Sequence, residues 1–168
     1  MKVKEILDEV ADLISRQLSI EPDENTLCAC YNYVESDLST CYFPILEIDK
    51  FFHVDDQIFY KSFSRNPYLI KGVQDFRGDK VEYFCEPAHL KIKKNYDGGT
   101  FFVKYYYIPE AKTVDGFCTY GADYKDILIY GTAAEYCMVI KEYEQAEKFN
   151  KDFENKIKAM KPKKIKRD

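Results

Sequence analysis

An α+β fold is the class this sequence predicts: an N-terminal helix pair, an inserted antiparallel β-sheet or small sandwich, and a long C-terminal helix or helix pair packing on the N-terminal helices. Three observations predict it. Apolar residues recur at three- and four-residue spacing at both ends of the chain. The middle, from Ile45 to about Ile108, is dense in Phe, Tyr, Val and Ile, with short turn signals between the runs. Aromatic residues make up 16% of the 168 residues, as 15 Tyr and 12 Phe with no Trp. Tyrosine suits half-buried strands and wet interfaces, because its ring is apolar and its hydroxyl needs a partner.

The first helix spans Val3–Leu18: Val3, Ile6, Leu7, Val10, Leu13, Ile14 and Leu18 share one face, with Glu5, Asp8, Glu9 and Asp12 opposite. The stretch from Ile20 to Asn25, with Pro22 inside it, stops this helix. A second begins near Asp23 or Asn25, either of which can cap it. Its apolar line runs Leu27, Cys30, Tyr31, Val34, Leu38 and Cys41, and Pro44 ends it. Two helices on so short a link pack as an antiparallel hairpin.

Strands follow near 46–53, 57–63, 68–75, 80–86, 88–94 and 100–108. Asp55-Asp56, Arg77-Gly78-Asp79 and Asp97-Gly98-Gly99 supply turns, the last reading as a hairpin. The run from Thr100 to Ile108 is the strongest strand. Phe101, Val103, Tyr105 and Tyr107 share one face and Phe102, Tyr106 and Ile108 the other, so it is central or covered on both sides. After a loop from Glu110 to Ala122, a helix runs from about Asp123 to Met160, with a break expected near Lys141-Glu142. Its stripe is Ile127, Tyr130, Ala134, Cys137 and Ile140, then Tyr143, Ala146, Phe149, Phe153, Ile157 and Met160. The whole reads as one domain over 1–168: helical in 1–44, β in 45–109, helical in 123–160, and a mobile basic tail in 161–168.

Charge is unevenly placed. The net value is −4, yet the residues from Lys156 onward hold seven Lys/Arg and one Asp, which leaves −10 on residues 1–155. The tail residues Lys161, Lys163, Lys164, Lys166 and Arg167 are the candidate interface or DNA-contact residues, through phosphate neutralisation. The plainer reading is a solvated helix end whose cations suit the C-terminal dipole. No apolar run reaches the roughly 18 to 20 residues of a membrane span, and the N-terminus lacks a signal-peptide core. Synthesis in a cytosol is therefore expected. The six cysteines, Cys28, Cys30, Cys41, Cys85, Cys118 and Cys137, read as free buried thiols.

Catalytic patterns are sparse. The sequence holds no GxSxG elbow, phosphate-binding loop, dinucleotide fingerprint or HExxH. Cys28-Ala29-Cys30 is too tight for a zinc knuckle, and His53 and His89 stand alone. No catalytic residue, metal or cofactor is expected. A Cys85–His89 dyad is the nearest thing to a nucleophile and base, and Asp55-Asp56 reads as a solvated turn. Arg77-Gly78-Asp79 matches an integrin-binding tripeptide but reads as a turn.

Three stretches carry a family resemblance. One is the opening helix pair, Val3–Leu18 and Leu27–Phe43. Another is the pair of strand phrases Gly78–Phe84 and Gly99–Pro109, the second similar to a G-x-x-x-V-x-Y-Y-x-x-P phrase. The third is the closing helix, Tyr124–Tyr136, then Glu144–Phe149 and Phe153. Together they resemble the head–tail connector, or adaptor, proteins of tailed phages and prophages. The resemblance implies a non-enzymatic structural protein made in the bacterial cytoplasm and assembled at the head–tail junction of the virion. It implies rings of about a dozen subunits under a portal, with portal and tail or stopper proteins as partners, non-specific contact with DNA in a channel, and no cofactor. Such proteins are often monomeric until the portal templates them. An acidic body suits a channel along which DNA slides without sticking. Small residues at Gly131, Ala133 and Ala134 let helices approach closely, within a subunit or between neighbours. The alternative is a small-ligand or carbohydrate-binding module that uses an aromatic sheet face; an enzyme using Cys85 or a carboxylate pair ranks third.

Overall fold

Helix α1 (Val3–Leu18) buries Val3, Ile6, Leu7, Val10 and Ile14 on one stripe, as its spacing requires. The structure, a computed structural model, describes residues 1–54, 56–93 and 99–160, the side chains of His53 and Val54 excepted. The first turn of α1 leaves N–H groups that the helix cannot satisfy itself. A later loop takes two of them: Val3 N–H donates to the Gly116 carbonyl at 3.0 Å and Lys4 N–H to that of Val114 at 3.1 Å. Ser19 closes the helix in the left-handed region, at φ 55°.

Helix α2 (Glu24–Asp37) opens on Asp23, whose carboxylate accepts from the Thr26 N–H at 2.8 Å and the Thr26 hydroxyl at 2.7 Å. Of the two expected caps, Asp23 does the work, and the hydroxyl bond of Thr26 and then its N–H hold this carboxyl below its ordinary pKa. Beyond Asp37 the helix widens into a π-type turn over Leu38–Tyr42.

Helices α3 (Lys125–Val139) and α4 (Tyr143–Met160) replace a single long helix, parting where a break was expected. Lys141 takes φ 66°, and the Glu142 N–H returns to the Cys137 carbonyl at 2.8 Å. The two helices pack together, with α1 and α2 against α3. Its central place explains why α3 is buried on nearly all sides, at Ile127, Leu128, Ile129, Gly131, Thr132, Ala133, Ala134, Tyr136 and Cys137. Gly131 is the closest approach. A Cβ there would meet Val34 Cγ1 of α2 at 2.8 Å and Phe153 Cε2 of α4 at 2.9 Å. The small residue therefore serves packing within the chain.

These helices, with the loop after Glu110, form one compact unit, Met1–Leu38 with Ala111–Asp168; Ser39–Glu110 form a second. The second contains β1 (Ile45–Val54), β2 (Gln57–Phe59), β3 (Asn66–Asp75), β4 (Lys80–Val81), β5 (Tyr83–Cys85), β6 (His89–Ile92) and β7 (Gly99–Ile108). Two antiparallel sheets result, one ordered β1-β7-β3-β4 and the other β2-β6-β5. Their facing sides share one core. Val73, Val81, Phe101, Val103 and Tyr105 come from the larger sheet, and Ile58, Leu90 and Ile92 from the smaller. This is a small sandwich. Phe63 joins the core with its ring edge-on to Tyr105 at 4.9 Å.

Three expectations change. The strand expected over 57–63 stops at Phe59, because a 3₁₀ turn at Tyr60–Ser62 is needed to swing Phe63 inward. The strand expected over 80–86 parts at Glu82, where the chain crosses from one sheet to the other. The hairpin expected at Asp97-Gly98-Gly99 does not pair the strands on its two sides; Asp97 and Gly98 themselves lie outside the described residues. β6 and β7 belong to different sheets, and β7 pairs with β1 and β3. A strand with apolar side chains on both faces takes the centre of the larger sheet, where both of its edges are paired. Arg77-Gly78-Asp79 does form a turn. Gly78 sits at φ 87°, and the Asp75 carboxylate accepts from the Arg77 and Asp79 N–H groups at 2.8 and 2.9 Å.

Candidate interaction surfaces

Side chains alternate across a strand, so β1 offers Ile45, Glu47, Asp49 and Phe51 to one side and Leu46, Ile48, Lys50 and Phe52 to the other. Phe51 packs on the core, which places the second set outside. Leu46 is 52% exposed, Phe52 62%, and Leu69 on β3 47%. The register continues this face across the sheet, with Leu46 opposite Tyr106, Ile48 opposite Lys104 and Lys50 opposite Phe102. Leu69 flanks Tyr106 from the other edge.

Lysines stand among these apolar side chains. Lys50 lies over the rings of Phe52 and Phe102 at 4.6 and 5.4 Å, and Lys71 lies over Tyr106 at 5.1 Å. Lys71, Lys80 and Lys104 also line a hollow of about 330 Å³ where Gly72 contributes no side chain. No outward position on these strands carries a carboxylate. Among the described residues none of Lys50, Lys71, Lys80 and Lys104 forms an ion pair.

The inward acids of β1 are engaged instead. Asp49 accepts from the Ser64 N–H and hydroxyl, both at 2.6 Å, and from the Tyr105 hydroxyl at 2.9 Å. Burial, with Asp49 beside it, pushes the Tyr105 phenol up to about 12. This cluster ties Ser64 to the sheet; a phenol so hard to ionise is a donor, not a base.

A second surface lies between α2 and α3: a groove of about 450 Å³ lined by Ala29, Cys30, Tyr33 and Val139, with Asn25 and Thr26 at the α2 N-terminus and Glu135 as its polar members. Tyr33 is 59% and Val139 55% exposed. Glu135 has no cationic partner among the described residues. Burial, and then the charge of Asp37, raise its pKa.

The residues singled out from the sequence fare unevenly. Lys161, Lys163, Lys164, Lys166 and Arg167 lie outside the described residues, as do Asp55 and the side chain of His53. Cys85 and His89 are not brought together. Cys85 pairs in register with Leu90, so the pleat turns Cys85 and His89 to opposite faces, and the His89 ring meets Phe59 at 5.6 Å. Among the described residues no three His, Cys, Asp or Glu side chains converge as a metal site, and no helix is long and apolar enough to cross a membrane.

The cysteines are free, but only Cys30 and Cys137 are fully buried, while Cys41 and Cys85 are exposed. The expectation of buried thiols is thus corrected for these two, since Cys41 falls in the π-type turn and Cys85 at a strand end. Burial pushes the Cys30 and Cys137 thiols up to about 11. Alkylation of the native chain at pH 8 is expected to label Cys41 and Cys85 first and to leave Cys30 and Cys137 unlabelled until unfolding. Peptide mass spectrometry over time reads this, and early labelling of Cys137 would contradict the packing of α3.

The sheet face is not legible in the sequence, because the strand expected over 46–53 has apolar side chains on both sides, Leu46, Ile48 and Phe52 on one and Phe51 on the other. Compared with models of protein families and with curated proteins, the sequence matches none.

Proposed function

We propose that this chain is a structural assembly protein that forms part of the head-to-tail connector ring of a tailed phage or prophage. One observation supports it above the rest: two apolar surfaces, the sheet face around Leu46, Ile48, Phe52 and Leu69 and the α2–α3 groove, are left uncovered. Large exposed apolar patches with polar rims belong to proteins that are buried against others. The likeness of the helix and strand phrases to connector proteins supplies the particular assembly. In this reading the partners are further copies of the chain, the portal and a tail or stopper protein, and the place of action is the virion junction.

A second reading has its own observation. Tyr68 and Tyr106 stack at 6.2 Å on the sheet, and sugar rings bind to such aromatic pairs.

Negative-stain microscopy with light scattering, on the protein alone and mixed with its candidate portal, separates the two. Rings, or complexes larger than either component, are the expected result. A strict monomer that ignores the portal at high concentration would remove the connector reading and put the aromatic ligand site first.

A further inference from the structure

We propose that the outer face of the β1-β7-β3-β4 sheet docks on the α2–α3 groove of a second copy of this chain, as a head-to-tail contact between subunits. The inference rests on the assembly reading and names the two faces and the partner.

Charge complementarity supports it. The helical unit, counted to residue 160, holds 10 Lys/Arg against 18 Asp/Glu, whereas Ser39–Glu110 hold 10 of each. That neutral unit is sorted by face, since the outward side of its larger sheet carries Lys50, Lys71, Lys80 and Lys104 and no acid. Among the described residues these are cations without anions, in apolar surroundings. Glu135 is the converse, an anion without a cation among the described residues, in an apolar groove. Its raised pKa marks a carboxylate that desolvation and Asp37 both disfavour in its charged form, and an ammonium brought alongside would relieve that.

The apolar parts match as well. Leu46 and Ile48 would cover Tyr33 and Val139, giving the dry centre with a charged margin that stable interfaces show. Single-stranded nucleic acid is the other anionic partner such a face could take. It binds by stacking on aromatic rings, but here Lys50 and Lys71 already lie over the rings of Phe52, Phe102 and Tyr106, and the aliphatic Leu46, Ile48 and Leu69 offer no stacking, so a protein surface fits better. Because the two patches are unlike, each copy keeps one free face after docking. Contacts of that kind extend into rings or filaments, where a self-complementary patch would stop at a dimer.

The test uses the full chain and two variants, Lys50→Glu with Lys104→Glu, and Glu135→Lys, each first checked for native circular dichroism. Sedimentation velocity up to about millimolar concentration is expected to show the wild type associating and each variant losing at least about tenfold in association constant. An equimolar mixture of the two variants is expected to associate where neither does alone, because the intact groove of one meets the intact sheet face of the other and the two reversed faces are again opposite in charge. Wild type that stays monomeric throughout, variants that associate as the wild type does, or a mixture that stays monomeric would each overturn the docking. So would loss of binding to a fluorescent oligothymidylate in the lysine variant with self-association unchanged, which would assign the face to nucleic acid. Rings that form regardless of these substitutions would reject this contact and leave the connector reading standing. Absence of both rings and portal complexes would reject the connector reading itself.

Discussion

Replacing Glu35 by alanine is expected to destabilise the helical unit by about 4 kcal/mol, from two donors that lose their carboxylate acceptor and a small cavity. Glu35 is 1% exposed, and one of its oxygens, Oε1, accepts from the Tyr31 hydroxyl at 2.7 Å and the Thr119 N–H at 2.6 Å. Alanine leaves the Thr119 N–H without its acceptor and the Tyr31 hydroxyl with only the weaker Cys118 sulfur. The Tyr31 hydroxyl has no escape by ionising, because burial first, then the Cys118 thiol and the Glu35 carboxylate, raise its pKa far above the ordinary value. Glu35→Gln keeps the accepting oxygen, so it is expected to stay within about 1 kcal/mol of the wild type. Urea unfolding of both variants measures this. A Glu35→Ala loss below about 1 kcal/mol would mean that the loop after Glu110 is held by other contacts. The strongest of those is Asn32, which accepts from the Lys112 N–H at 2.6 Å and donates to the Lys112 carbonyl at 2.9 Å.

Gly131→Val is expected to cost about 3 kcal/mol and to loosen α2 and α4 together, because the added carbons must displace Val34 on one side and Phe153 on the other. Gly131→Ala is expected to cost less, because a single methyl, although it forces Val34 and Phe153 to shift, adds less bulk than valine, and its better helix propensity offsets part of the strain. Thermal unfolding ranks the two. If valine proves neutral, α3 does not pack as tightly as these distances require.

Much of this was legible in the chain itself. The α1 stripe, a cap at Asp23 or Asn25, a break near Lys141-Glu142, the turn at Arg77-Gly78-Asp79 and the central place of β7 follow from local rules, since each depends on residues within a few positions of one another. The strand that stopped at Phe59 and the sheet-to-sheet crossing at Glu82 did not follow, because Phe63 takes its place from the distant Tyr105, and beyond Val81 the chain leaves the β3–β4 pairing for β6 of the other sheet.

The surfaces show the division most plainly. Along Leu46–Asp49 apolar and polar residues alternate, and that stretch by itself would put Leu46 and Ile48 in the core and Glu47 and Asp49 in water. The fold reverses this. Asp49 turns inward because Ser64 and Tyr105, 15 and 56 residues away, supply three hydrogen bonds to its carboxylate, and a one-residue slip of register would carry every neighbour to the other face. Alternation determines that β1 has two unlike faces. Only the pairing of distant strands decides which of them is buried, because a strand's side preference is set by what packs against it and not by its own sequence.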